Sequence, residues 1–236
     1  MDIGIIGAGL IGGTLARALA GTGNSVRIAH SSDPDTLTDF DDDSRIRPMW
    51  ASSAAKDVDL VVLTIPMKSV DRLSPNLLKT LGSVPIVIDT CNYYPVRDGR
   101  IDALDTGTAD SEWVTFRLGR PVYKVFNNIS APSLKYKGSA DPASRVGLAV
   151  AGAESEDKKI VFDLVDLLGF DPVDGGTLDQ SWRQQPGTPT YCRDLNAVEL
   201  RDGLAATLPS RIPDYLKARD SLTDMDAAVA RTRSRM

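Results

Sequence analysis

The stretch Asp2-Ile3-Gly4-Ile5-Ile6-Gly7-Ala8-Gly9-Leu10-Ile11-Gly12 decides the fold. Asp2 to Ile6 is a short apolar run of the buried-strand type, and three glycines follow it at the spacing G-x-G-x-x-G. Leu15, Ala16, Leu19 and Ala20 then recur at helical spacing until Gly21-Thr22-Gly23 stops them, and Ser25-Val26-Arg27-Ile28-Ala29 reads as a second strand. Strand, glycines, helix and strand within about thirty residues form the context that makes three glycines a dinucleotide-binding fingerprint. Gly7 permits the tight turn, Gly9 lets the backbone approach a pyrophosphate, and Gly12 lets the helix close on the strand. The free N–H groups of the helix start face the anion.

The tip of the second strand selects the cofactor. A site for NAD places Asp or Glu there to hold the ribose hydroxyls. Here His30-Ser31-Ser32 stands in that place, followed by the turn Asp33-Pro34. Hydroxyl donors and an imidazole suit a 2′-phosphate better than a diol, which points to NADP, while the nearby Asp33 leaves NAD open.

Beyond this unit, strand and helix patterns alternate. The acidic run Asp39 to Asp43 reads as a solvated loop and Ala54 to Asp57 as a short helix. Asp59 to Ile65 is almost continuously apolar, as a parallel strand covered on both faces must be, and stops at Pro66. A helix is expected over 67–81, a strand over Val84–Asp89, a helix ending at Leu118-Gly119, and a strand over Val122–Phe126. A further βαβ-like unit runs from Val146–Ala151 through a helix over Glu154–Leu168 to Phe170–Asp174. After Gly175-Gly176 the alternation stops: a loop rich in Gln, Pro and Thr precedes helix patterns around 196–207 and 212–233, with Arg231, Arg233 and Arg235 read as a frayed end. The expected fold is α/β, a doubly wound Rossmann-type parallel sheet with a small C-terminal extension. Residues 1–145 would form the NAD(P)-binding domain and residues 146–236 a smaller domain on the acceptor side.

The 27 Lys and Arg against 32 Asp and Glu leave a net charge of −5, which gives no basic footprint for nucleic acid or an anionic membrane. No apolar run approaches the roughly 20 residues of a spanning helix, so a cytoplasmic address is expected. Two cysteines, Cys91 and Cys192, form neither a disulfide framework nor a four-ligand zinc site, and the single histidine, His30, argues against a histidine-rich metal site.

Longer motifs carry a family resemblance. Ile5 to Gly12, Leu63-Thr64-Ile65-Pro66, Val125-Phe126-Asn127-Asn128-Ile129-Ser130 and Leu168 to Gly176 resemble the NADP oxidoreductases that use the deazaflavin coenzyme F420, and more loosely the cytosolic domains of six-transmembrane metalloreductases. Asn92 to Gly99 and Ser181 to Pro189 are similar to stand-alone bacterial members, and the resemblance runs from residue 1 to about 207. It implies hydride transfer between NADPH and a deazaflavin, a flavin or another small acceptor stacked on the nicotinamide. Gly7, Gly9, Leu10 and Ile11 would line the pyrophosphate, Ser31 and Ser32 the 2′-phosphate, Ile65 and Pro66 the adenosine, and Asn127 with Ile129 the nicotinamide edge. Gly12, His30 and Asn92 complete the expected cofactor contacts. Where the family carries an arginine this chain has Ser32, and Arg27, Arg45 and Arg47 are the candidates to compensate.

Hydride transfer between two rings needs alignment more than acid–base groups. Reduction of a carbonyl or imine needs a proton donor as well. Asn127, Tyr93, Tyr94 and Asp98 are the candidate catalytic residues, Asn127 and Asn128 for the carboxamide and the other three for the proton. Arg97 is a candidate for an anionic acceptor, and Trp182 for the roof of its pocket. The competing readings are a flavin-type reductase, an imine or carbonyl reductase of a biosynthetic pathway, and a non-catalytic dinucleotide-binding module. Trp182, Tyr191, Leu195, Leu200 and Leu204 give the region after 176 apolar surface, from which a homodimer is expected.

Overall fold

Alternate residues of the central strands are apolar on both sides, and the computed structural model, which describes residues 1–221, shows why. Six strands form one sheet: β1 (Asp2–Ile6), β2 (Ser25–Ala29), β3 (Ile46–Pro48), β4 (Leu60–Leu63), β5 (Ile86–Asp89) and β6 (Tyr123–Lys124). All pairings are parallel, in the order β3-β2-β1-β4-β5-β6. Leu60, Val62, Ile86 and Ile88 face one layer, with Leu15 and Leu19 of α1 (Leu10–Gly21). Val61, Leu63 and Val87 face the other, with Met67 of α3 (Met67–Val70), Leu77 of α4 (Pro75–Leu81) and Val114 of α7 (Asp110–Leu118). Two-sided burial requires the unbroken apolar runs.

The order reverses beside β1, so the loops after β1 and β4 diverge at the carboxyl edge and leave the crevice in which doubly wound sheets bind ligands. β7 (Gly147–Val150) and β8 (Asp171–Asp174) pair in parallel as a second small sheet. It is joined to β6 by an antiparallel bridge in which Lys124 and Ala151 exchange both backbone hydrogen bonds, at 2.8 and 3.0 Å. Val161, Leu164 and Val165 of α9 (Glu156–Leu167) complete the first layer of core, while Leu200 and Leu204 of α10 (Ala197–Ala206) pack on Ala149 and Val173. The apolar positions Leu200 and Leu204 are thus satisfied within the chain.

Several elements differ from expectation. The helix over 67–81 is two helices, because Ser74 caps Leu77 N–H at 3.2 Å and Pro75 starts a new turn. The short helix read at Ala54–Asp57 lies one turn earlier, as α2 (Ala51–Ala54), and Asp57 is left-handed at φ +52°. The strand read as Val122–Phe126 pairs only at Tyr123–Lys124, since Phe126 turns out of the sheet at φ +60°. The acidic loop hides a buried Phe40, over which Arg17 sits 5.1 Å from the ring centroid. The glutamine-rich segment forms 3-10 turns over Leu178–Gln184. The last helix, α11, covers Ile212–Asp220; the remainder of the pattern to 233, with Arg231, Arg233 and Arg235, lies outside the described residues. Among the described residues no helix is long and apolar enough to cross a membrane.

Candidate active site

The glycine turn is built by close contacts that only glycine allows. Gly7 sits at φ +117°, and a Cβ there would stand 2.1 Å from Thr64 O at the end of β4. A Cβ on Gly12 would stand 1.8 Å from Gly7 O, so α1 rests directly on the turn. Gly9 differs: its backbone is extended, and a Cβ would meet nothing within 4 Å. It precedes the first turn of α1, which has neither a side-chain cap nor an acidic residue. Free N–H groups, the positive dipole end and open space coincide there, the arrangement that receives an anion. A cleft of about 840 Å³ opens at this turn, lined by Ala8, Gly9, Leu10, Thr14, Arg17 and Phe40.

At the tip of β2, Ser31 and Ser32 are exposed, while the His30 ring is pinned by Nε2 contacts of 3.0 Å to Asp33 O and to Thr36 Oγ1. The Asp33 carboxylate accepts Asp35 N–H at 3.0 Å, which turns this acid to capping. Of the three arginines considered, Arg27 donates to Lys56 O at 2.5 Å and Arg45 pairs with Asp43 at 3.1 Å. Arg47 is exposed on β3, in register with Arg27.

A second set of residues gathers where β5 and β6 end. Phe126, strained at φ +60°, turns Asn127 inward. Asn127 Nδ2 donates to Asn92 Oδ1 at 3.1 Å and to Gln184 O at 2.8 Å, and Gln184 Nε2 donates to Asn127 Oδ1 at 2.7 Å and to Ala149 O at 3.0 Å. Asn92 Nδ2 donates to Asn127 O at 2.9 Å and to the Tyr191 hydroxyl at 3.2 Å. The Tyr191 hydroxyl also meets that of Tyr94. Asn128 Oδ1 is buried with no hydrogen-bond partner, and Asn128 O accepts Cys192 N–H at 2.9 Å. Ile129 is buried in the core beside them. Burial pushes both tyrosine hydroxyls up from their ordinary value, and pushes the Cys192 thiol up to about 12. Gln184, from the Ser181–Pro189 motif, and Tyr191, read from the sequence as apolar surface of the extension, reach the site from more than fifty residues away in the chain.

Two of the proton-donor candidates are placed elsewhere. Tyr93 is fully buried, and its hydroxyl accepts Ile101 N–H at 2.9 Å and lies 3.1 Å from both Gly99 O and Asp105 Oδ1. Burial holds it up at about 12. The Asp98 side chain is wholly covered and spent on four donors: Tyr94 N, Lys68 N and two nitrogens of Arg97. Arg97 is committed likewise, donating to Asn92 O at 2.5 Å. These three residues shape the loop after β5, including α5 (Pro95–Asp98), rather than offer a proton or a charge to a ligand.

Beneath the loop lies a buried charge cluster that sequence reading did not single out. Lys124 Nζ reaches Asp89 Oδ2 at 3.2 Å and Cys91 O, with both charged side chains fully buried. Ser111 Oγ donates to Asp89 Oδ2 at 2.5 Å. Asp110 accepts Tyr93 N–H and Gln185 Nε2, each at 3.0 Å. Burial pushes Asp110 up to about 6, against the pull of Lys124 and of the Tyr93 N–H.

The parallel sheet, the open glycine turn and the polar lattice on one carboxyl edge define a Rossmann-type α/β fold. Residues 2–93 match the family model described as NADP oxidoreductase, coenzyme F420-dependent, so the resemblance holds over that stretch. Over 56 residues it is 45% identical to the protein YjhV of Escherichia coli (strain K12), a stretch that spans 24% of this chain and 41% of that protein. A crystal structure of the hypothetical protein SMa0349 from Sinorhizobium meliloti superposes with TM-score 0.70 at 29% identity, covering 81% of this chain and 93% of that one. A protein from Arthrobacter sp. FB24, assigned as an F420-dependent NADP-reductase, shares the fold with TM-score 0.65 at 22% identity, covering 77% and 87%.

Proposed function

We propose that this chain reduces a small flavin-like acceptor, a deazaflavin or a flavin, with NADPH as hydride donor. The observation that carries the reading is the pairing, on one carboxyl edge, of the open Gly9 turn with the Asn92–Asn127–Gln184 lattice. Gly9, Leu10 and Ile11 would receive the pyrophosphate, Ser31 and Ser32 the 2′-phosphate, and Ile65 and Pro66 the adenosine side. The unpartnered Asn128 Oδ1 suits the amide N–H of a nicotinamide carboxamide. When bound, NADPH supplies the hydride, and the protein's part is to align the two rings and exclude water. Residues 1–145 would hold the cofactor and 146–236 cover the acceptor. A homodimer through the extension belongs to the same reading, supported by the exposed Val198 and Leu208 and tested by light scattering.

A second reading, reduction of a carbonyl or imine, is favoured by the Tyr94–Tyr191 hydroxyl pair, since that chemistry needs a proton. Following NADPH oxidation against flavin, deazaflavin, quinone, ferric and imine acceptors separates the two. Oxidation with none of them points to a binding module. Calorimetry is expected to show tighter binding of NADPH than NADH; equal affinities would remove the phosphate assignment. Ser31→Glu is expected to weaken NADPH by about 1–3 kcal/mol through like-charge repulsion, read in the same titration.

A further inference from the structure

Four residues stand level across the carboxyl edge of the sheet. Ile6 pairs with Ala29 and with Leu63, so Gly7, His30 and Thr64 each lie one residue past the end of a strand, at the same height. Pro48 pairs with Ile28, and Met49 N–H donates to Ile28 O at 2.8 Å, which brings Trp50 level with His30 on the outer side. Neighbouring strands lie about 4.8 Å apart, so Trp50 starts one strand beyond the β2 tip and two beyond the glycine turn. Met49 and Ala51 pack on the same core layer as Ile65, and Trp50 between them is 59% exposed.

Nothing in the local structure asks for tryptophan there. Trp50 occupies the N-cap position of α2 and its side chain makes no capping hydrogen bond, at a place where Ser, Thr, Asp or Asn stabilises the helix start. The protein's other two tryptophans, Trp113 and Trp182, each lie beside an arginine, 5.2 and 5.6 Å from the ring centroid, whereas Trp50 has no such neighbour among the described residues. A large apolar ring thus stands in water at a position that rewards a small polar side chain, the kind of broken local rule that marks a functional site. The β2 tip beside it lacks a free flat group: Ser31 and Ser32 are exposed hydroxyls, and the His30 ring is pinned by Asp33 and Thr36.

We propose that Trp50 is the stacking platform for the purine of the dinucleotide. This rests on the NADPH reading set out above. The glycine turn after β1 takes the pyrophosphate and the β2 tip the ribose, so the base, next in the chain of bonded groups, lies on the far side of β2 from the nicotinamide half. That is the side on which Trp50 stands. Stacking uses the face of the base and needs no hydrogen bonds to its edge. Affinity for the adenosine half then comes from an aromatic face, and the choice between NADPH and NADH from the hydroxyls beside it.

The test uses adenosine 2′,5′-bisphosphate, which carries the purine, the ribose and the 2′-phosphate but no nicotinamide, titrated by calorimetry and by tryptophan fluorescence. Trp50→Asn removes the ring and supplies a preferred N-cap, so its melting temperature is expected to hold or rise. Its affinity for the bisphosphate and for NADPH is expected to fall about tenfold or more, the size of a lost base stack. Trp50→Phe keeps a ring and is expected to bind the bisphosphate within about fivefold of wild type. The quench of emission that the bisphosphate causes in wild type is expected to be largely lost in that variant, since only Trp113 and Trp182 remain to emit. Bisphosphate affinity in Trp50→Asn within about twofold of wild type overturns the proposal. So does an undiminished quench in Trp50→Phe, which decides the matter should Trp50→Asn misfold. A wild type that binds neither NADPH nor the bisphosphate sinks the cofactor reading, and the purine assignment with it. NADPH bound by wild type and equally by Trp50→Asn removes Trp50 alone and leaves that reading standing.

Discussion

At Gly9 the backbone has φ −74° and ψ −169°, a conformation open to any residue, and nothing lies within 4 Å of the place a Cβ would take. Gly7 and Gly12 have no such freedom, since added carbons there would stand 2.1 and 1.8 Å from backbone oxygens. The three glycines of one motif thus do separable work: two close the turn on itself, and the third keeps clear the space over the helix start. Gly9→Val is expected to retain the fold, at a cost of about 1 kcal/mol or less in helix-start preference, and to lose NADPH binding because its side chain fills the pyrophosphate's place. Gly12→Val is expected to unfold the domain. Thermal melting and NADPH calorimetry on the two variants check both outcomes; loss of fold in Gly9→Val, or retained NADPH binding, would count against this division.

Where β5 and β6 end, the structure holds a salt bridge with no exposed charge: Lys124 and Asp89 are both fully covered. Removing one partner strands the other, so Lys124→Met is expected to destabilise the protein by about 3–5 kcal/mol in urea unfolding. Adding Asp89→Asn should recover part of that loss, because the stranded charge goes with it. A loss below about 1 kcal/mol from Lys124→Met would mean water reaches the pair. This cluster shows what a single sequence conceals. β1 and β2 were legible to the residue, because their apolar runs, the glycine turn and the helix spacing all point one way. β3 was not, since three residues ending in Pro48 carry no period. Asp89 reads as an ordinary strand end and Lys124 as the middle of a strand, because nothing in the local pattern says that Ser111 and the Cys91 carbonyl await them. The same holds for the site: the glycine turn was legible, whereas Tyr191 meets Asn92 only through a fold that brings together residues 99 apart.

The C-terminal extension is tied to the six-stranded half of the chain by Gln184 and Gln185, and the second tie has a pH dependence. Asp110 N–H donates to Gln185 Oε1 at 2.9 Å while the Asp110 carboxyl accepts Gln185 Nε2, so two bonds fasten the segment to the start of α7. Burial holds Asp110 at about 6 against an ordinary 3.8. An acid held above its unfolded value is protonated in the fold while already ionised in the unfolded chain. Between about pH 4 and 6 the folded state therefore binds more protons, and stability falls as pH rises through that window. The span corresponds to roughly 3 kcal/mol at most. Asp174 and Asp220 act oppositely: despite partial burial, Lys158 holds the first low and Arg100 with Arg219 the second, so their contribution is lost as pH falls. The contrast that isolates Asp110 is thus the difference between wild type and Asp110→Asn. The variant forfeits one hydrogen bond, because its amide nitrogen faces either the Gln185 or the Tyr93 donor. Its deficit against wild type is expected to be largest near pH 4, where the native carboxyl is a protonated, uncharged group, and to shrink by about 1–3 kcal/mol on passing to pH 7. Urea unfolding of both proteins across that range measures it, and a difference that stays flat, or grows with pH, would show that Asp110 is ionised in the fold and that Lys124, not burial, governs it.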